Sequence, residues 1–178
     1  LDRNREPVRE KLATLAGVSS DEIALNRNAS EALDTIIFGI DLEAGDEVVL
    51  SKQDYPNMVH AWNARSRRHG VRLKWVDLNL PSTDIEALAN QYISKFTRRT
   101  KVVHLTHMLN WTGQIMPVAR VAEVARKRGI KVIVDAAHSF AHLNIKLPDL
   151  GADYIGVSLH KWLCASIGTG MLYVRKEL

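Results

Sequence analysis

Residues 131–138 read KVIVDAAH, and this stretch decides the fold. Three consecutive β-branched residues are followed by an acid. Such a run is expected of a strand in a parallel sheet whose two faces are both covered. The stretch SLHK at residues 158–161 follows a second apolar run in the same way. Ligands of such sheets bind beyond the carboxyl ends of the strands, so Asp135 and Lys161 are the first candidates for a functional site.

Short apolar runs alternate with stretches of helical periodicity along the rest of the chain. The clearest helix is predicted over Pro117 to Arg128, where valines recur at helical spacing and Gly129 suits the stop. The predicted strands are Glu22 to Leu25, Glu47 to Leu50, Val71 to Val76, Lys101 to Thr106, Lys131 to Asp135, Tyr154 to Val157 and Gly170 to Val174. The pattern predicts one three-layer αβα domain with a mostly parallel sheet of about seven strands.

The whole-chain properties limit the function classes. The length of 178 residues suits one large domain, and no apolar run approaches the ~20 residues that span a bilayer, so a membrane protein is not expected. The chain starts at Leu1 without a signal-peptide pattern. We therefore expect a segment of a longer, cytoplasmic protein. Cys164 is the only cysteine, which excludes an internal disulfide.

The net charge of +4 raises the question of an acidic partner. The basic clusters Arg65 to Arg68, Arg98 to Lys101 and Arg126 to Arg128 each lie near a predicted helix end, where cations complement the helix dipole. They lack the interleaved aromatic residues that single-stranded nucleic acid would stack on. These clusters therefore predict solvated faces, and no nucleic-acid partner is expected.

Asp135 and Lys161 together form the strongest chemical signal. A lysine that forms a Schiff base and a carboxylate that faces a pyridine nitrogen are the two groups that pyridoxal 5′-phosphate (PLP) requires. Taken singly, Asp135 is equally typical of a helix cap or turn acid, and Lys161 of a surface lysine. Ser158 and His160 beside the lysine strengthen the PLP interpretation, because both can donate hydrogen bonds to a phosphate.

A second signal lies in residues 26–32, which read NRNASEA where a strand ends and a helix begins. Asn28 with Glu31 three residues later predicts a capping box. The amides of Ala29 and Ser30, with the Ser30 hydroxyl, would then lie at a helix N-terminus that can bind a phosphate. Helix capping alone explains the motif equally well.

Two further side chains follow predicted strands. Tyr55, in QDYP at residues 53–56, can stack on a planar cofactor or simply pack in the core. Asn110, in HMLNWTG at residues 107–113, can donate its amide to a phenolate oxygen, although loop asparagines more often form turns.

Other constellations carry less weight. His104 and His107 are an odd offset apart on a strand, which predicts opposite faces, and the segment holding His138 and His142 need not be helical, so no metal site is expected. Cys164 is expected to be a small buried hydrophobe rather than a nucleophile. The GTG at residues 168–170 lacks the glycine spacing of a dinucleotide fingerprint.

The set of Asn28-Ala29-Ser30, Tyr55, Asn110, the DAAH at residues 135–138 and the SLHK at residues 158–161 resembles the class V aminotransferase family of fold-type I PLP enzymes. The resemblance covers nearly the whole chain. The strings HKWLCA at residues 160–165 and GTG at residues 168–170 are similar to the isopenicillin N epimerase-like branch of that family.

The resemblance implies a role for each matching residue. Lys161 would form the Schiff base with PLP and Asp135 would meet the pyridine nitrogen. The phosphate site would comprise Ala29, Ser30, Ser158 and His160, Tyr55 would cover the ring, and Asn110 with His138 would meet the phenolate oxygen. Many relatives have histidine in place of Tyr55 and glutamine in place of His138, which puts in doubt any mechanism that needs a histidine above the ring.

The resemblance also implies an enzyme that acts on an amino acid. We favour an isopenicillin N epimerase-like activity, with cysteine desulfurase, selenocysteine lyase or aminotransferase chemistry as the alternative. The family further implies a homodimer and a small C-terminal domain that would hold the substrate carboxylate through an arginine, neither of which residues 1–178 identify. A non-catalytic binding module that keeps the PLP-enzyme fold is the non-enzyme alternative.

Overall fold

The computed structural model describes residues 4–178 and contains five α-helices, two short 3-10 helices and seven strands among them. The helices are α1 (Arg5–Ala16), α2 (Ala29–Gly39), α3 (Pro56–His69), α4 (Ile85–Ile93) and α5 (Val118–Lys127). The strands are β1 (Ile23–Asn26), β2 (Glu47–Ser51), β3 (Arg72–Val76), β4 (Thr100–Thr106), β5 (Lys131–Asp135), β6 (Tyr154–Ser158) and β7 (Gly170–Val174). All seven predicted strands are confirmed, with each end within one residue of its predicted position.

The strands form one sheet in the order β1-β7-β6-β5-β4-β2-β3. Neighbours from β6 to β3 pair in parallel, whereas β7 is antiparallel to both β6 and β1. Strand β1 consequently points in the same direction as the parallel strands. Its carboxyl end, the end of β5 and the end of β6 therefore share one edge of the sheet, and β7 starts at that same edge. The predicted mostly parallel sheet is confirmed.

Helices cover both faces of the sheet. Side chains of α1, α4 and α5 pack in one core with inward residues such as Val103 and Val134. Side chains of α2 and α3 pack in a second core with the alternate strand residues, such as Val102 and Ile133. Since neighbouring strand residues point to opposite faces, continuous apolar strands need this double cover. The structure is thus the predicted three-layer αβα arrangement.

Helix α5 shows how the local sequence sets its bounds. Pro117 and Arg128 occupy the N-cap and C-cap positions, so the helix is one residue shorter at each end than predicted. Val121 and Ala125 are among its buried residues, and Gly129 follows with a left-handed φ of 68°. Glycine adopts this conformation without the steric cost that a β-carbon imposes, which explains the stop.

One basic cluster departs from the solvated face that its sequence predicts. Arg65 is buried, and its guanidinium donates to the carbonyls of Phe38 and Ile40 at 3.1 and 2.6 Å. These carbonyls lie at the end of α2, where the backbone leaves acceptors without helical partners. Arg65 therefore joins α3 to the end of α2. No helix within residues 4–178 has the length and apolar character needed to cross a bilayer.

Candidate active site

A pocket of about 360 Å³ opens at the carboxyl edge of the sheet. All nine residues that the sequence predicts as site residues line it. They are Ala29, Ser30, Tyr55, Asn110, Asp135, His138, Ser158, His160 and Lys161. The strand order brings them together, because β1, β4, β5 and β6 all end at this edge. Their roles toward a cofactor stay predictions.

Asp135 is the last residue of β5 and is only 4% exposed. Its Oδ1 accepts a hydrogen bond from the Ala137 amide at 2.9 Å, which orients the carboxylate at the pocket wall. Burial raises the pKa of Asp135, while the Ala137 amide and the charge of Lys161 act in the opposite direction. Within residues 4–178 no cation lies close enough to form an ion pair with it. A buried carboxylate without an ion-pair partner stabilises a cation that binds next to it. A protonated pyridine nitrogen is such a cation.

Lys161 lies in the turn after β6 and is half-buried. Burial lowers the pKa of its ammonium group, and the charge of Asp135 opposes that shift. Its Nζ lies 2.9 Å from His138 Nε2 and 5.8 Å from the centre of the Tyr55 ring. A lysine with a lowered pKa is more often a neutral amine, which is the nucleophilic form.

The β2–α3 turn positions Tyr55 through a residue that the sequence reasoning missed. Asp54 is 1% exposed, and its Oδ2 accepts from the Ser51 amide at 2.7 Å. Its Oδ1 accepts from both the amide and the hydroxyl of Thr106, at 2.9 and 2.8 Å. Burial raises the pKa of Asp54 to about 7. The carboxylate thus ties the turn that carries Tyr55 to the end of β4.

The N-terminus of α2 lies where the sequence predicts, but its hydrogen bonds differ. Asn28 Oδ1 accepts from the Glu31 amide at 2.9 Å, which is half of the predicted capping box. Glu31 accepts from the Arg27 amide at 2.6 Å, and not from the Asn28 amide, because it also binds the Arg27 guanidinium. The second half of the predicted box is therefore wrong.

Ser158 also alters the predicted phosphate site. Its Oγ accepts from the Ala29 amide at 2.9 Å, so this amide is already satisfied within the protein. The Ser158 hydroxyl hydrogen is still available to a phosphate, as is the Ser30 amide, which has no partner in the first turn of α2 by helix geometry. Only part of the predicted set of donors is therefore available at this end of the pocket.

Gly170 allows β7 to begin directly against this turn. A β-carbon at residue 170 would lie 2.6 Å from the backbone nitrogen and Cα of Asn28. Any side chain there would push away the turn that precedes α2. The close approach of two backbones is thus built into the wall of the pocket, and it suits a site that binds a phosphate with backbone groups.

His160 has a defined tautomer when neutral. Its Nδ1 lies 3.1 Å from the Thr169 carbonyl, which accepts only from a protonated nitrogen. Nε2 of the neutral ring is therefore an acceptor. His160 can donate to a phosphate through Nε2 only as the imidazolium, which adds a positive charge to the site.

His138 lies between two side chains on the other side of the pocket. Its Nε2 is 2.9 Å from Lys161 Nζ, and its Nδ1 is 3.4 Å from the indole nitrogen of Trp162. Trp162 is a residue that the sequence reasoning did not select for the site. Its position directly after Lys161 was the available signal, but the sequence alone does not show which way its ring points.

The sequence prediction that Cys164 is buried is wrong. This cysteine is exposed and not buried, and it adopts a left-handed φ of 57° in the turn after Lys161. His104 and His107 are both buried, and no group of three or more metal-ligating side chains occurs in the described part of the chain. Residues 137–142 form turns, so His138 and His142 do not share a helix.

The chain is similar in sequence to proteins of one known family. The sequence model of the family described as Aminotransferase class-V matches residues 2–178. Isopenicillin N epimerase of Streptomyces clavuligerus is 36% identical over 167 residues, which cover 93% of this chain and 42% of that protein. A probable cysteine desulfurase of Synechocystis sp. is 31% identical over 178 residues, which cover 97% of this chain and 41% of that protein.

Solved structures of the same kind share the fold. A complex between the cystine C-S lyase C-DES and its reaction product cysteine persulfide superposes with a TM-score of 0.91 at 27% identity, covering 97% of this chain and 46% of that one. Cysteine desulfurase from Thermococcus onnurineus superposes with a TM-score of 0.86 at 27% identity, covering 97% and 42%. The chain therefore spans less than half the length of the relatives that it matches.

Proposed function

The chain belongs to the class-V aminotransferase family, and from this premise we propose that it forms the PLP-binding part of an enzyme that acts on an amino acid. The observation that carries the proposal is the pocket in which the half-buried Lys161 and the buried Asp135 lie together at the sheet edge. Burial disfavours the charged form of each of these residues, and the bound cofactor would offset that unfavourable free energy. Asp135 would gain a cation, and Lys161 would be held in a covalent bond.

Bound PLP would supply the electron sink that makes the α-proton of an amino acid acidic. Asp135 would hold the proton on the pyridine nitrogen through a charge-assisted hydrogen bond. The Lys161 amine would bind the cofactor covalently and, once free, take or return a proton at the substrate Cα. Its lowered pKa supports the second task, because a general base must be unprotonated near neutral pH.

The phosphate would lie against the N-terminus of α2. The Ser30 amide, the Ser30 and Ser158 hydroxyls and the imidazolium form of His160 are the donors that support this position. The face of Tyr55 would cover the cofactor ring, with Asn110 and His138 toward the phenolate oxygen. Tyr55 is a poorer proton shuttle near neutral pH than histidine, because its unperturbed pKa is ~10. Lys161 is therefore the base on which the proposed activity depends.

We favour an epimerase over a desulfurase for the complete protein. The identity of 36% to the Streptomyces epimerase exceeds the 31% to the Synechocystis desulfurase. The resemblance implies that a desulfurase carries its reactive cysteine on a loop well beyond the lysine. Cys164 lies only three residues after Lys161, so we do not assign it that role. Aminotransferase chemistry is the third alternative, and a homodimer is the proposed assembly.

Spectroscopy with added PLP tests the cofactor part of the proposal. The full-length protein should develop a new absorbance band that borohydride removes, and peptide mapping should find the reduced adduct on Lys161. Lys161→Ala should lose both signals, whereas the matched change at an exposed site, Lys176→Ala, should keep them. Absence of band and adduct at saturating PLP would favour a non-catalytic binding module.

Solvent exchange separates the enzymatic alternatives. In deuterium oxide, an epimerase should incorporate deuterium at Cα and change the configuration of its substrate without releasing sulfide. Release of sulfur from L-cysteine would support the desulfurase alternative instead. Conversion of added PLP to its amine form, with release of a keto acid, would support an aminotransferase.

A further inference from the structure

Three side chains form a row at the pocket wall. The indole Nε1–H of Trp162 points to His138 Nδ1 at 3.4 Å, and His138 Nε2 lies 2.9 Å from Lys161 Nζ. An indole nitrogen can only donate a hydrogen bond, and a neutral imidazole has one donor and one acceptor nitrogen. The proton positions in the row are therefore linked to one another.

Two arrangements of these protons are possible while His138 is neutral. If the Lys161 ammonium donates to Nε2, the His138 proton lies on Nδ1, where it opposes the Trp162 N–H. If Trp162 donates to Nδ1, the His138 proton lies on Nε2 and faces Lys161, which must then be an amine that accepts it. Only the second arrangement satisfies both contacts.

We propose that Trp162 is a positioning residue that holds the His138 proton on Nε2, so that His138 donates to Lys161 and favours the neutral amine. The proton placement follows from the geometry alone, whereas its use in catalysis rests on the proposed function. In that function the Nε2–H would also be the donor toward the phenolate oxygen of the cofactor. The other tautomer presents a lone pair there, which an anionic oxygen repels.

The position of Trp162 is supported from its other side. Its ring lies against His142, with ring centres 3.8 Å apart and planes inclined by 37°. His142 follows Ala141, which has a left-handed φ of 60°. The indole is therefore held between two histidine rings although it is 46% exposed. A substitution that keeps an aromatic ring would retain this packing and remove only the N–H.

The charges around Lys161 oppose one another. Burial lowers the pKa of Lys161, and burial, Lys161 and His142 together lower the pKa of His138. The carboxylate of Asp135 and the face of Tyr55 favour the ammonium instead. Since these effects are in opposition, one hydrogen bond from His138 is enough to change the neutral fraction of Lys161 severalfold.

The experiment measures Lys161 directly in the cofactor-free, full-length protein. Competitive acetylation at a series of pH values, followed by mass spectrometry, gives the pKa of Lys161 without any need for turnover. Trp162→Phe should raise that pKa and lower the neutral fraction at pH 7 by roughly three- to tenfold. The matched control Trp111→Phe removes an indole N–H from a side chain that is 74% exposed, and it should leave the pKa unchanged.

A double-mutant cycle separates proton placement from packing. In a His138→Phe background no proton is left to place, so Trp162→Phe should have no further effect on the pKa of Lys161. An equal shift in both backgrounds would overturn the proposal, because the indole would then act through hydration or packing. An unchanged pKa in Trp162→Phe alone would overturn it as well.

Nitrogen NMR of ¹⁵N-histidine-labelled protein gives a second readout. His138 should be protonated on Nε2 in the wild type, and its Nδ1–H form should increase in Trp162→Phe. A wild-type Nδ1–H form would overturn the proposal. The borohydride adduct is measured separately, so loss of the adduct would remove the proposed function while leaving the proton placement standing.

Discussion

Asp54 and Thr106 are joined by two hydrogen bonds to a single oxygen, since Asp54 Oδ1 accepts both the amide and the hydroxyl of Thr106. The other carboxylate oxygen accepts the Ser51 amide. Asp54→Ala should lower the free energy of unfolding by about 3 kcal/mol or more, because three buried donors would lose their acceptor. Urea unfolding of the full-length protein measures this loss. Asp77→Ala, at a side chain that is 83% exposed, is the control and should be neutral.

His104 predicts a dependence of stability on pH. Neither of its buried ring nitrogens has a hydrogen-bond partner within the described residues, and burial lowers its pKa to about 3. In the unfolded chain His104 takes up a proton near pH 6.5, whereas in the folded chain it stays neutral until about pH 3. The contribution of neutral His104 to the free energy of unfolding is therefore present above pH 6.5 and is lost as the pH falls toward 3. At pH 7, where the ring is neutral, His104→Leu removes two buried nitrogens that lack partners, and the variant should be more stable than the wild type by about 1 kcal/mol.

The advantage of His104→Leu should grow by about 1.4 kcal/mol for each unit that the pH falls from 6.5 toward 3. Asp54 acts in the opposite direction, because burial raises its pKa to about 7, so the free energy of unfolding falls through proton release from this group as the pH rises toward 7. The comparison of variant with wild type at each pH removes that background. His60→Gln, at an exposed histidine, should show no such trend, and a constant difference for His104→Leu would contradict the prediction.

Gly170→Ala should weaken the binding of PLP about tenfold or more. The new methyl group would displace the Asn28 backbone and with it the first turn of α2. Overpacking of this kind costs about 1–3 kcal/mol, which unfolding measurements should detect alongside a cofactor titration. Gly39→Ala is the matched control, since a β-carbon there has open space at the end of α2 and should leave both quantities nearly unchanged.

Asp135→Asn should separate cofactor binding from folding. The amide oxygen can still accept from the Ala137 amide, but the negative charge is lost. We expect PLP affinity to fall about tenfold or more, while stability is retained or improved because a buried charge is removed. Unchanged affinity would contradict the role of Asp135 at the pyridine nitrogen. The pKa of Lys161 should also fall, since Asp135 raises it.

The sheet could be predicted from the sequence because its strands are short apolar runs, of which Val132 to Val134 is typical. The direction of β7 could not, since the same kind of run suits either direction. Contacts between distant residues were also beyond the sequence. The bond from the Ala29 amide to Ser158 spans 129 residues, and the burial of Asp54 depends on Thr106, 52 residues further on.

The candidate site could also be predicted from the sequence only in part. Lys161 and Asp135 could be located because Asp135 ends one recognisable strand and Lys161 comes three residues after another. Trp162 could not be assigned, since only the folded turns place its indole beside His138. Cys164 was wrongly expected to be buried, because a free cysteine is usually a small buried hydrophobe and the left-handed backbone of the turn was not visible in the sequence.

The position of Gly170 against Asn28 has a consequence for protein synthesis. The turn before α2 is made early by the ribosome, whereas the backbone that forms its wall belongs to β7. Until β7 has emerged and inserted between β1 and β6, β1 has no neighbour in the sheet and the pocket has an open side. The pocket of a nascent chain is therefore complete only after β7 has been synthesised and has joined the sheet. A ligand that contacts every wall of the pocket can bind only after that step.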